Sequence, residues 1–314
     1  MNFKVIIIDD VHQILKDELN NIGIGVDTIT KIDYNSLFDI INNYDGIILR
    51  SKVTLDKPII DKAKNLKFIA RVGAGMENID VEYALSNKIA CINSPEGNRD
   101  AVGEHTLGLL LSLMKNINIS NDEIKNNIWN REKNKGFEIS DKTIGIIGYG
   151  NMGSAFAERL SGFKANVIAY DKYKKGYGNN LVKETNLDEI FEHADILSLH
   201  VPLTEETKYM VNSSFLHNFK KNIYLINTSR GNVIKTSDLI KGLKSGKLIG
   251  AGLDVIEYEE QTFDNIFFND EFKLLLENKN VIITPHIAGI TYESSIKHAK
   301  VIFEKINIVL NNKC

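Results

Sequence analysis

The stretch GIIGYGNMGSAFAERL, residues 145–160, constrains this chain more than any other. It begins as an apolar strand, passes through glycines at 148, 150 and 153, and continues as an amphipathic helix. Glycines in the pattern G-x-G-x-x-G are common, but between a strand and a helix each has a physical task. Gly148 permits the tight turn, Gly150 lets the backbone approach a pyrophosphate, and Gly153 lets helix and strand pack closely. The helix N-terminus, with Asn151 and Met152 in its first turn, offers unpaired N–H groups to phosphates. A structural glycine turn with no ligand is the plainer alternative, and the surrounding pattern weighs against it.

The next apolar run, NVIAYD, ends in Asp171, and 171 − 153 = 18 residues after the last glycine. A ribose-binding acid is expected roughly 20 residues on. A carboxylate there accepts hydrogen bonds from the ribose hydroxyls and repels a 2′-phosphate, so NAD rather than NADP is expected. Lys172, Lys174 and Lys175 follow it closely.

The alternation extends over the whole chain. Short apolar runs at 4–8, 45–49, 67–71 and 88–92 are separated by helical patterns such as 10–21 and 77–86. After the polar stretch 121–142 it restarts, with strands expected at 143–148, 166–171, 195–200, 223–228, 248–254 and 280–285. Strands alternating with helices imply an α/β fold with parallel sheets covered on both faces. Residues 100–119 read as one long helix, too apolar to face solvent, and about 291–312 as another. At 314 residues the chain is long enough for two cores.

Composition excludes several classes of protein. The formal net charge is −3 and no basic stripe stands out, so no nucleic-acid partner is expected. No apolar run approaches the roughly 20 residues that cross a bilayer, so no membrane partner is expected. Cys91 and Cys314 cannot build a disulfide framework, which suits a reducing cytoplasm. No metal site is expected.

Three polar residues fall at strand ends of the second half. Arg230 follows the strand 223–228, Glu259 lies after LIGAGLDV, and His286 follows NVIITP. Taken singly they read as a rim charge, a loop acid and a surface histidine. Together at the mouth of a nucleotide-binding sheet they suit one reaction. A guanidinium holds a carboxylate through two hydrogen bonds. An imidazole moves a proton on or off a hydroxyl oxygen while hydride passes to or from nicotinamide. A carboxylate orients that imidazole. The expected substrate is a small 2-hydroxy or 2-keto acid.

The motifs RVGAGMENID (71–80), NSPEGNRDAVGEHTLGLLL (93–111), GYGNMG (148–153), HVPLTEET (200–207), NTSRGNVI (227–234), GAGLDV (250–255) and TPHIAG (284–289) occur in one order along nearly the full length. In this the chain resembles the D-isomer-specific 2-hydroxy-acid dehydrogenases. The resemblance implies two doubly wound parallel-sheet domains, a Rossmann NAD-binding domain at 98–287 inserted into a flavodoxin-like substrate domain at 1–97 plus 288–314. It implies Arg230, Glu259 and His286 as the catalytic trio. It implies cofactor contacts at Gly148, Gly150, Asn151, Met152, Gly153, Asp171, His200, Val201, Pro202, Thr207, Thr228, Ser229, Asp254, Ala288 and Gly289. It also implies that Gly73, Ala74 and Gly75 offer backbone N–H groups to a substrate carboxylate.

Within the family, GIILRSKVT (46–54) is similar to the D-3-phosphoglycerate dehydrogenases, which implies Arg50, Ser51 and Arg71 at the substrate's anionic groups. The helix 100–119 resembles the family's dimerisation element, so a homodimer is expected. The family usually has Glu-Pro after the "DV" strand, whereas Glu259 here is followed by Glu260, and Glu257 lies close by. No regulatory domain is expected after residue 314.

The expected reaction is oxidation of 3-phosphoglycerate. A glyoxylate or hydroxypyruvate reductase on the same scaffold is the nearest alternative, and an NAD-sensing binding protein is the alternative from another class. Formate dehydrogenases carry Gln where Glu259 stands, and a methyltransferase would leave the trio unused.

Overall fold

The structure, a computed structural model, describes residues 3–260 and 266–311. Along the chain it contains β1 (Lys4–Ile7), α1 (Gln13–Asn21), β2 (Gly25–Thr28), α2 (Tyr34–Ile40), β3 (Gly46–Leu49), α3 (Lys57–Lys62), β4 (Phe68–Arg71), α4 (Val81–Ser86) and β5 (Ala90–Asn93). There follow α5 (Pro95–Met114), α6 (Ile117–Lys125), β6 (Thr143–Ile147), α7 (Asn151–Arg159), β7 (Asn166–Tyr170), β8 (Lys183–Glu184), α8 (Leu187–His193), β9 (Ile196–Leu199), α9 (Ser213–His217) and β10 (Ile223–Asn227). The chain ends with α10 (Thr236–Lys244), β11 (Leu248–Leu253), α11 (Asp270–Glu277), β12 (Val281–Ile283) and α12 (Tyr292–Asn311). It divides into two compact units, residues 3–98 with 290–311 and residues 99–260 with 266–289.

The first unit carries a five-stranded parallel sheet in the order β2-β1-β3-β4-β5. Its inner strands are mostly apolar because helices cover both faces: β3 is buried at all four positions, and β1 and β4 at three of four. One face packs Ile6, Ile47, Leu49 and Ile69 against Leu37, Ile59 and Ala84. The other packs Val5, Ile7, Ile48 and Phe68 against Leu15, Leu19, Ile302 and Ile306. Strand β2 escaped the sequence reading: GVDT is a half-polar edge strand with no fully buried residue.

The second unit carries a seven-stranded parallel sheet in the order β12-β11-β10-β9-β6-β7-β8. It exceeds the six expected strands by β8, a two-residue edge strand beside β7. The long helix also differs. It ends at Met114, Asn116 takes a left-handed conformation with φ 54°, and α6 starts afresh at Ile117. Leu109, Leu110, Leu113 and Met114 are consumed by the unit's own core. The apolar side chains left exposed lie further on, at Ile117, Ile124, Ile128, Trp129 and Phe137.

Side chains close the N-termini of several helices, while α6, α7 and α10 have no side-chain cap. The side chains of Asp33, Asp56, Asp80, Asn186, Asn212 and Asn269 cap α2, α3, α4, α8, α9 and α11. Each such cap contributes about 1 kcal/mol. Helix α7 has Gly150 at that position and no side-chain cap.

Candidate active site

The open start of α7 is built by its glycines. Gly148 has φ 90°, and a Cβ there would come within 2.5 Å of the His200 carbonyl oxygen. A Cβ at Gly153 would lie 2.0 Å from the Gly148 carbonyl oxygen, so any side chain would break the turn. A Cβ at Gly150 would meet nothing within 4 Å. That open space lies where the backbone has to be approached. Asn151, Met152 and Gly153 form the first turn of α7, whose N–H groups have no intrahelical acceptor.

Asp171 stands at the end of the neighbouring β7. Its carboxylate accepts the N–H of Tyr149 at 2.8 Å, of Tyr173 at 2.9 Å and of Lys174 at 3.0 Å. These bonds hold its pKa below the usual carboxylate range although burial pushes the other way. A fixed anion beside the glycine turn fits a ribose diol. Lys174 reaches the Tyr149 carbonyl at 3.3 Å, and Lys172 pairs with Glu206. At the end of β9, His200 bonds Ser198 through Nε2 at 2.8 Å, while its buried Nδ1 has no partner among the described residues. Val201 and Pro202 follow, and Thr207 closes the loop by donating to the Pro202 carbonyl at 2.6 Å. Uncapped helix, open glycine, ribose acid and orphaned ring nitrogen together fit a dinucleotide.

The candidate trio sits along the same carboxyl edge. Arg230 follows β10 and donates from Nη1 to the Ser229 carbonyl at 2.7 Å. Asn227, fully buried, fixes this loop by donating to the Arg230 carbonyl at 3.0 Å and accepting from the Ser229 N–H and hydroxyl. The Thr228 hydroxyl meets that of Thr106 on α5 at 3.0 Å. Beyond β12, His286 adopts φ 54°, and its Nδ1 lies 2.6 Å from Glu259 Oε2. The other Glu259 oxygen accepts the Ile256 N–H. Of the neighbouring acids, Glu257 is spent on the Thr236 N–H at 2.9 Å.

Asp254 is the anchor of the histidine loop. It is 1% exposed and accepts the Ile287 N–H at 2.9 Å, the Ala288 N–H at 2.8 Å and the Thr284 hydroxyl at 2.6 Å. His105 on α5 adds a contact to Thr284 at 2.9 Å. Sequence reasoning placed Asp254 among the cofactor contacts. In the structure its carboxylate holds the segment 284–288 that carries His286 and leads to Gly289. His105 was missed; a histidine inside the apolar run EHTLGLLL was the available signal.

In the first unit, Arg50 and Arg71 end β3 and β4. The Arg50 N–H donates to Asp9 at 2.6 Å, and its carbonyl accepts from Arg71 Nε and Asn78 Nδ2, each at 3.2 Å. Ser51, half-buried, follows the exposed Arg50. Gly73 has φ 155°, and a Cβ there would strike the Arg71 guanidinium at 2.2 Å. Its N–H departs from expectation: it donates to Ser94 Oγ at 3.1 Å and so is turned inward. The N–H groups of Ala74 and Gly75 have no such partner among the described residues. Burial pushes the Cys91 thiol up to about 11, while Cys314 lies outside the described residues. Among the described residues no cluster of His, Cys, Asp and Glu could hold a metal ion, and no helix is long and apolar enough to cross a membrane.

Comparison with known proteins gives the chain's relatives. The hydroxypyruvate reductase of Thermotoga maritima is 36% identical over 280 residues, covering 89% of each chain. The D-3-phosphoglycerate dehydrogenase of Methanocaldococcus jannaschii is 34% identical over 99% of this chain and 58% of its own length. The chain thus spans little more than half the length of the phosphoglycerate dehydrogenases it matches. The D-lactate dehydrogenase of Aquifex aeolicus, solved with NAD and lactic acid, superposes with a TM-score of 0.82 at 28% identity, over 98% of this chain and 96% of its own. Residues 107–288 match the model of the D-isomer specific 2-hydroxyacid dehydrogenase, NAD binding domain. The chain belongs to the D-isomer specific 2-hydroxyacid dehydrogenases.

Proposed function

We propose that the chain is an NAD-dependent oxidoreductase acting between a D-2-hydroxy acid and its 2-keto acid. The observation that carries this reading is the 2.6 Å pair of His286 and Glu259 on the edge that also holds the uncapped glycine turn. With Nδ1 held by Glu259, Nε2 is the atom through which His286 would meet the substrate oxygen. In oxidation Nε2 takes the hydroxyl proton; in reduction it returns one to the carbonyl oxygen. Glu259 fixes the ring and offsets the charge it gains. Arg230 holds the carboxylate and polarises the adjacent carbonyl. Bound nicotinamide would supply the hydride acceptor or donor. We assign cofactor binding, with Arg230, Glu259 and His286, to the second unit, and to the first a group of anion contacts, Arg50, Ser51, Arg71, Ala74 and Gly75.

Two arginines at one sheet edge favour a substrate with a second anionic group, and 3-phosphoglycerate fits that demand. The likeness to a hydroxypyruvate reductase over 89% of both chains supports a second reading, reduction of an unphosphorylated acid. NADH absorbance decides between them. The panel is 3-phosphoglycerate with NAD, then 3-phosphohydroxypyruvate, hydroxypyruvate, glyoxylate and pyruvate with NADH. A kcat/KM preference for the phosphorylated pair supports the first reading, and preference for an unphosphorylated acid the second. No turnover with NADH still bound would oppose both and point to a binding role.

A homodimer completes the proposal. Trp129 is 79% exposed, and Ile128, Phe137, Ile124 and Ile117 surround it in sequence with exposed apolar side chains. Such side chains mark an association surface. Sedimentation should give twice the mass of one chain, and Trp129→Glu should halve it. A cytoplasmic site accords with the half-buried, unpaired Cys91.

A further inference from the structure

One hydrogen-bonded pair at the edge of the five-stranded sheet has no part in the proposed reaction. Ser94, the residue after β5, is fully buried, and His298 on α12 is nearly so. Ser94 Oγ lies 2.7 Å from His298 Nδ1. The same oxygen accepts the Gly73 N–H at 3.1 Å, and the Ser94 N–H donates to the Gly73 carbonyl at 2.8 Å. Gly73 is therefore clasped on both sides. Gly97 gives the imidazole its room, since a Cβ there would come within 2.5 Å of Nδ1.

Ser94 Oγ accepts the Gly73 N–H and keeps a second lone pair and a proton for the ring. Either tautomer of a neutral imidazole therefore completes the chain from His298 through Ser94 to Gly73. The surroundings keep the ring neutral. Burial pushes His298 down to about 4, opposed by the Ser94 backbone, while Arg50 and Arg71 lower it further and Glu96 raises it. Lys305, also on α12, binds both Glu96 oxygens at 2.9 Å.

A buried polar pair can serve merely to satisfy its own groups. This one ends on a residue that only glycine readily supplies, at φ 155°, directly under the Arg71 guanidinium and directly before the Ala74 and Gly75 N–H groups. We propose that Ser94 and His298 are positioning residues of the anion site. They hold the Gly73 N–H inward, which leaves the Ala74 and Gly75 N–H groups, next to Arg71 in the chain's turn, to receive a carboxylate or phosphoryl group. The proposal rests on the function proposed above.

The test uses oxalate, an unreactive dicarboxylate, titrated calorimetrically into the full-length protein saturated with NADH. Parent, Ser94→Ala, Ser94→Cys and Ser94→Thr are compared, with NADH affinity measured separately. Cysteine fills the serine's space but accepts poorly, so it stands in should the alanine variant not fold. Loss of a hydrogen bond that orders charged contacts is worth about tenfold or more. Ser94→Ala and Ser94→Cys should weaken oxalate by that factor, Ser94→Thr should restore it, and NADH binding should not change. Parent-like oxalate binding in the alanine and cysteine variants would overturn the proposal, as would equal losses of oxalate and NADH. A parent protein that binds NADH but no oxalate would refute the function proposed above and this inference with it.

Discussion

The two sheets share parallel architecture but differ at their first strand-to-helix turns, and that difference bears on where each can receive an anion. In the seven-stranded sheet β6 runs into Gly148, Gly150 and an uncapped α7. In the five-stranded sheet β1 runs into Asp9 and Asp10, and His12 caps α1 by accepting the Ile14 N–H at 3.3 Å. Asp9 is buried and spent on the N–H groups of Arg50 and Lys52. A carboxylate at that turn repels a phosphate, which accords with the proposed assignment of anionic groups to the ends of β3 and β4. An α/β sheet thus binds anions at whichever strand ends its turns leave open.

The largest effect is expected at Gly153→Val, because a side chain there meets the Gly148 carbonyl oxygen. Overpacking of this kind costs about 1–3 kcal/mol or more, so NADH affinity should fall by about a hundredfold. Parent-like NADH binding would show that the turn is not the cofactor site. Arg230→Ala should lower kcat/KM by about a hundredfold, the worth of one lost charge-stabilising group; an equal fall in NADH affinity would oppose a substrate role.

On the other sheet, Arg50→Ala should raise KM for a phosphorylated acid by about tenfold or more, the range for hydrogen bonds to charged groups. KM for glyoxylate should barely move. Equal effects on both substrates would remove Arg50 from phosphoryl recognition. Asp171→Ala should weaken NAD by about tenfold on the same scale and relax discrimination against NADP. An unchanged NAD to NADP ratio would assign the ribose to another residue.

The smallest effect concerns pH. Burial lowers His298 to about 4 and His200 to about 3, one in each sheet's unit. An exposed histidine titrates near about 6.5. Between those values the unfolded chain binds more protons, so stability is full above about pH 6.5 and declines as pH falls toward about 4. Tm should drop between pH 7 and pH 5, and His298→Gln should reduce that drop. An unchanged drop would show that His298 is not buried neutral.

The sequence made the repeating elements legible where apolar runs were long and bounded. Every expected strand is present in the structure, from Lys4–Ile7 to Val281–Ile283. The strands it hid, β2 and β8, are short polar edges whose formation depends on a neighbour's backbone, and no apolar pattern announces that. The helix break at Asn116 was hidden for a similar reason. A left-handed residue is chosen by what packs around it, and Gly136, approaching to where a Cβ would lie 2.4 Å from the Met114 carbonyl oxygen, is distant in sequence. At the site, charged residues at strand ends could be seen, whereas the second layer could not. Asp254 beneath His286, His105 beside Thr284, and Ser94 with His298 become meaningful only once the chain brings residues as far apart as 94 and 298 together.

The central claim is that His286 carries the proton while the glycine turn carries the cofactor. It is tested most directly with His286→Ala, by measuring kcat on the best 2-keto acid and NADH affinity on the same sample. The account predicts a kcat lower by about 10²–10⁴-fold, the usual worth of a general acid–base group, with NADH affinity unchanged. Turnover close to that of the parent would contradict it.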